Sequence, residues 1–235
     1  MLQERIASLK QRITNAAHRR QRLPQEIAVV GVSKLAALED VAGVVKSGFL
    51  DIGENRVQEA QRKYTGLKAI LSAGQISRLR LHMVGHLQTN KVAKAVELFS
   101  LIQSVDSVNL ARLINVQAEK LKKSVNILAQ VNIGLESSKF GIHPDDTTKI
   151  IEPILNLSNI KLKGLMCIAP YSENAESTRP YFKRMRQIYE QVNTFLTERG
   201  HQKLTILSMG MSDDFEVAIE EGSTMVRIGR LIFGG

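Results

Sequence analysis

A primary amine stands where an apolar run stops. In "AVVGVSKLAALEDV", residues 28–41, the strand-like "AVVGV" runs into Ser33 and Lys34 before a helical pattern begins. Side chains alternate along a strand, so Val30, Val32 and Lys34 share one face. If the valines fill a core, the lysine is aimed at the open end of that core. Partial desolvation there favours the neutral amine, and a neutral amine attacks carbonyl carbon. A solvated lysine closing a strand is the ordinary alternative.

Anion chemistry is concentrated near the C-terminus. The stretch "SMGMSDDFEVAI", residues 208–219, places Ser208 at a strand end and Gly210 in a turn. Ser212 is a good N-cap there, with Asp213 and Asp214 in a first helical turn. "MVRIGRLIFGG" follows and brings Arg227, Gly229 and Arg230 to the end of another strand. Small residues, backbone N–H groups and a guanidinium suit a phosphate. Ordinary turns with solvated arginines would give the same letters. The order S-x-G-x-S differs from the G-x-S-x-G of a nucleophile elbow. A ligand carrying both a carbonyl and a phosphate would use both ends of the chain, and pyridoxal 5'-phosphate (PLP) is such a molecule.

Other reactive residue types have weaker patterns. His82 and His86 are four apart in "HMVGHLQTNK", but this spacing falls on a strand and its turn, and no Glu follows His82, so a zinc site is not expected. Either histidine could instead contact a ligand or make structural hydrogen bonds. Asn55, in "GENRVQEA", is expected to cap a helix and to offer a polar edge to the same mouth. Cys167 is the only cysteine. It lies in the apolar "LKGLMCIAP", which reads as a buried strand and leaves no disulfide or cysteine-based zinc site.

These residues need elements to hold them. Eight β-rich runs, near 26–33, 49–53, 80–86, 100–106, 125–133, 160–168, 204–209 and 223–229, alternate with helical patterns. The helices are expected near 38–47, 55–64, 89–97, 108–122, 145–156, 174–199 and 213–221, with 66–80 and 169–178 irregular. Repeated strand–helix order and strands apolar on both faces indicate a parallel sheet covered by helices. Eight units in 235 residues predict one closed (β/α)8 TIM barrel, an α/β fold occupying residues 1–235, with an open doubly wound sheet as the alternative. Leu2, Ile6, Leu9 and Ile13 recur at helical spacing among charged residues and predict a packed N-terminal helix ahead of the barrel. In such a barrel the reactive face lies at the C-terminal ends of the strands.

The net charge is +9, from 32 Lys and Arg against 23 Asp and Glu. Basic residues are dispersed and tryptophan is absent, so the excess fits a preference for anionic ligands better than a nucleic-acid surface. No run is apolar enough for a membrane span, and the first helix lacks the core of a secretory signal. A cytoplasmic protein without membrane association is expected.

The motifs "VGVSK", "GENRVQE", "HMVGHLQTNK", "VNIGLESSKFG", "GLMCIAP" and "LSMGMSDDFEVAIEEGSTMVRIGRLIFG" resemble, in order, the pyridoxal phosphate homeostasis proteins (the YggS and PROSC group) from about Ile27 onward. The resemblance implies the alanine-racemase-type barrel (the N-terminal domain, fold type III among PLP proteins), with PLP held as an internal aldimine on Lys34. It implies phosphate contacts from Ser208, Arg227, Ile228 and Gly229, and pocket-wall positions at Asn55, His82, Met209 and Ser212. It also implies a monomer without robust catalysis that buffers or carries PLP in vitamin B6 and amino-acid homeostasis, with PLP-dependent apoenzymes as candidate recipients. An amino-acid racemase is the alternative. Alanine-type racemases use a second acid–base tyrosine from an added domain and a partner subunit. Of Tyr64, Tyr171, Tyr181 and Tyr189, only Tyr171 follows a predicted strand toward the mouth. A Schiff-base aldolase would need the same lysine and phosphate cradle but no bound chromophore.

Overall fold

The computed structural model describes residues 2–34 and 36–234. Eight parallel strands close into a barrel in sequence order: β1 (Ala28–Val32), β2 (Asp51–Glu54), β3 (Arg80–Met83), β4 (Leu101–Val105), β5 (Val125–Val131), β6 (Ile160–Cys167), β7 (Ile206–Ser208) and β8 (Met225–Ile228). Pairing of β1 with β8, Val30 opposite Arg227 and Gly31 opposite Ile228, completes the ring. The predicted closed barrel is the observed fold, and the open-sheet alternative is excluded.

Period-two alternation explains why the strands are apolar on both faces. Val30, Leu101, Leu128, Met166 and Met225 point inward and fill the barrel as one cluster. Their neighbours Ile52, Ile102, Ile127, Val226 and Ile228 point outward, into the layer beneath the helices. A second outer cluster gathers Leu165, Cys167, Leu207 and Met209 under Phe182, Met185, Val192 and Leu196.

The outer layer contains α1 (Leu2–His18), α2 (Leu38–Lys46), α3 (Val57–Ile70), α4 (Ala73–Arg78), α5 (Val92–Leu98), α6 (Val108–Lys120), α7 (Thr147–Leu155), α8 (Arg179–Glu198), α9 (Phe215–Glu220) and α10 (Arg230–Phe233). As expected from its spacing, α1 buries Ile6, Leu9 and Ile13, and it packs against α9 and α10. Arg12 pairs with Glu216 at 3.0 Å and Arg19 with Glu220 at 2.6 Å along that contact.

Sequence periodicity misses two short helices. The supposedly irregular segment 66–80 contains the end of α3 and all of α4. Six residues are too few for a helical repeat to register, and the only local sign is Ser72 and Gln75 in a reciprocal capping box. Helix α10 is shorter still, at four residues. No described helix is long and apolar enough to cross a membrane.

Candidate functional site at the C-terminal rim

Lys34 lies two residues beyond β1, is exposed, and makes no hydrogen bond or ion pair among the described residues. Its root is anchored from behind. Ser33 N–H donates to the Gly53 carbonyl at 3.0 Å, and Ser33 Oγ donates to Glu54 Oε1. Lys63, reaching in from α3, donates from Nζ to the Ser33 carbonyl and to Glu54 Oε1, the latter at 2.8 Å. Both charged side chains are buried, with side-chain exposures of 8% for Lys63 and 2% for Glu54. The peptide that carries Lys34 is therefore clamped by a buried ion pair, while the amine itself stays free. Sequence reasoning overlooked both clamp residues. The available sign was an acid ending one strand and a lysine on the buried face of the next helix.

The other side of the rim comes from β7 and β8. Arg227 is 4% exposed and points into the barrel, where Nη1 donates to Ser208 Oγ and Nη2 to the Cys167 carbonyl, each at 2.8 Å. Burial lowers its pKa, with partial compensation from acidic neighbours including Asp214. Gly210 has φ +92, and a Cβ on it would lie 2.5 Å from Ala218 Cβ, so the β7–α9 turn requires glycine. Gly229 lies beside the end of β1, where a Cβ would stand 3.1 Å from the Val32 carbonyl. The residue that follows β8 thus lies beside the end of β1 that leads to Lys34.

Several expected contacts are placed differently. Ser212 is buried in the β7–α9 turn but does not cap the helix: α9 begins at Phe215, and Asp214 occupies the cap position without a side-chain cap bond. Asp214 Oδ1 instead accepts from Met211 N–H at 2.6 Å, and burial raises its pKa. The Ser212 hydroxyl has no partner among the described residues, so it remains free to face a ligand. Asn55 does not cap α3, which starts at Val57 with Arg56 in the cap position; Asn55 is one residue too early and stays exposed. Met209 turns its side chain outward into the α8–α9 layer, because it follows the inward Ser208 by one residue. Ile228 is likewise outward, which leaves its backbone as the part that borders the rim. Arg230 pairs with Asp213 at the surface.

The two histidines separate. His82 is 3% exposed and lies inside the barrel between Asp51, at 2.9 Å from its Nε2, and Gln103, at 3.0 Å from its Nδ1. His86 remains at the rim, where Nδ1 is 3.4 Å from Asp106 Oδ2 and the ring stacks on Phe140 at 3.5 Å. Among the described residues no three His, Cys, Asp or Glu side chains converge as a metal site. Burial pushes the Cys167 thiol up to about 12.

Residues 7–235 match the family described as alanine racemase, N-terminal domain. A pyridoxal phosphate homeostasis protein of Aquifex aeolicus is 41% identical over 231 residues, covering 98% of this chain and 96% of the relative. The chain belongs to the pyridoxal phosphate homeostasis protein family. Among solved structures, PipY of Synechococcus elongatus PCC7942, in the form without PLP, is 33% identical and covers all of both chains with a TM-score of 0.85. The same protein with PLP bound gives 0.84. An alanine racemase of Clostridium difficile 630, at 18% identity and a TM-score of 0.70, shares the barrel, and this chain spans 56% of its length. Lys34 is exposed and unpaired among the described residues, whereas Arg227 is buried and engaged twice.

Proposed function

We infer that the whole chain serves as one PLP-binding barrel, a monomeric cytosolic carrier or buffer of the cofactor in vitamin B6 and amino-acid homeostasis, with Lys34 as its attachment point. When bound, PLP supplies an electrophilic aldehyde, a pyridine ring and a dianionic phosphate. The observation that carries the reading is the unpartnered Lys34 amine on a clamped peptide, across the β8–β1 seam from Gly229. The name of the Aquifex relative and the PLP-bound form of PipY support the choice of cofactor.

The residues present fit that group. Lys34 offers Nζ to the aldehyde carbon. Ser212 offers an uncommitted hydroxyl to the phosphate, and Gly229 together with the N–H groups opening α10 offers backbone donors on the same side. Arg227 lies within β8, two residues before Gly229, and is already engaged twice, so it would supply fixed positive charge to the bound group instead of a free donor. Of the tyrosines, Tyr64 lies on α3, Tyr181 and Tyr189 lie on α8, and Tyr171 is 79% exposed beyond β6. Tyr189 Oη already donates to the Leu204 carbonyl at 2.5 Å. These placements favour holding the cofactor over turning it over.

The test is reduction of PLP-loaded protein with borohydride, followed by intact mass and peptide mapping. We expect one phosphopyridoxyl group on Lys34 and none in Lys34→Ala. An equally stable adduct on another lysine would reject the site. Rapid turnover of D- or L-amino acids by the wild type would reject the carrier reading in favour of a racemase.

A further inference from the structure

A polar chain crosses the barrel interior from the floor to the rim. At the floor, Arg80 grips Asp51 through Nε at 2.6 Å and Nη2 at 2.5 Å. Both residues line a cleft of about 560 Å³ beside α1. Asp51 then meets His82 Nε2 at 2.9 Å, His82 Nδ1 meets Gln103 Nε2 at 3.0 Å, and Gln103 Oε1 meets Ser208 Oγ at 2.7 Å. Ser208 Oγ accepts from Arg227 Nη1 at 2.8 Å.

Donor and acceptor counting gives this chain a direction. A carboxylate only accepts, so His82 carries its proton on Nε2 and donates it to Asp51. Nδ1 is then a bare acceptor and receives an N–H from Gln103, whose other N–H faces Met225 Sδ at 3.3 Å. The Gln103 carbonyl is turned toward Ser208 and takes the hydroxyl proton. With its proton committed, Ser208 offers only lone pairs, and those receive Arg227. Every group donates toward the floor, from the buried guanidinium to the carboxylate.

We propose that Asp51, His82 and Gln103 are positioning residues for the cofactor site, which orient Ser208 and through it the Arg227 guanidinium. On this reading Ser208 supports Arg227 instead of donating to phosphate. The proposal rests on the PLP-binding function above, in which Arg227 would supply fixed charge to the bound cofactor. A second proton on His82 Nδ1 would force the Gln103 amide to reverse, break its contact with Met225 and leave two donors facing Ser208.

The experiment uses full-length protein with 15N-labelled histidine, observed cofactor-free by long-range 1H–15N correlation at pH 8, together with PLP titration followed by absorbance and a melting curve. We expect the wild type to show His82 solely as the Nε2–H tautomer. In Asp51→Asn the amide both donates and accepts, so a mixture of tautomers is expected, with PLP bound about tenfold more weakly, the scale of one misoriented hydrogen bond. A wild-type His82 protonated on Nδ1 would overturn the proposal. So would an Asp51→Asn protein that melts lower yet binds PLP as tightly as the wild type, because a merely structural role gives that result. A wild type that takes up no PLP would reject the functional reading and the positioning role with it, while the tautomer signal of the cofactor-free protein would still report whether the chain runs as described.

Discussion

Replacing Lys63 with methionine isolates the clamp behind Lys34. The substitution keeps the side chain's length and apolar stem but removes the ammonium that serves Glu54 and the Ser33 carbonyl. Glu54 would stay buried, with Oε1 retaining only Ser33 Oγ and with Oε2 already lacking a hydrogen bond among the described residues. Breaking one side of a buried ion pair costs about 3–5 kcal/mol. At roughly 2–4 °C per kcal/mol for a chain of this size, melting should fall by about 6–20 °C. Urea titration and calorimetry of Lys63→Met, Glu54→Gln and the double variant complete a cycle. The double variant should recover most of the loss, because a neutral amide beside a thioether leaves no uncompensated charge. A single-variant cost below about 1 kcal/mol, or a double variant no more stable than Lys63→Met, would refute the clamp.

Cys167 should resist thiol reagents at pH 8 in the native protein and react only on unfolding, since burial both blocks access and pushes the thiol up to about 12; rapid native labelling counted by mass would contradict this. Burial alone would raise the pKa of Asp51, but hydrogen bonds from His82 and Arg80 outweigh it and hold the carboxyl at about 2. Because that value lies below the unfolded one, the stabilisation is complete above about pH 4 and disappears as pH falls toward 2. Discounted for partial exposure, it amounts to about 1–2 kcal/mol. The difference in stability between wild type and Asp51→Asn should therefore shrink over that window, as read by urea titration at each pH; a constant difference would contradict it.

The barrel was legible because its strands are buried on both faces and therefore stand out between amphipathic helices. Lys34 was legible only as the first charge after that run: it lies in a turn two residues beyond the strand and is exposed, so the alternation from Val30 and Val32 ends before it and the expected desolvation is not observed. The same alternation separates Ser208 from Met209, so the two could not both present side chains to the barrel interior, and the motif resemblance alone did not show that. Capping was misread at Asn55 and Ser212 because a cap depends on where the first turn starts, and a shift of one or two residues moves it to Arg56 and Asp214. The chain from Asp51 to Arg227 was invisible for another reason. Its members come from β2, β3, β4, β7 and β8, and only the closed geometry brings them together.

Seam closure between β1 and β8 also has a consequence in time. About 200 residues separate Ala28 from Ile228, so at cellular rates of translation a nascent β1 waits roughly 10–40 s before its second neighbour has been made. During that interval α1 also lacks α9 and α10, and its apolar stripe is open to other chains. The newborn protein is thus most exposed to aggregation at its oldest end, where ribosome-associated chaperones would have the most to protect.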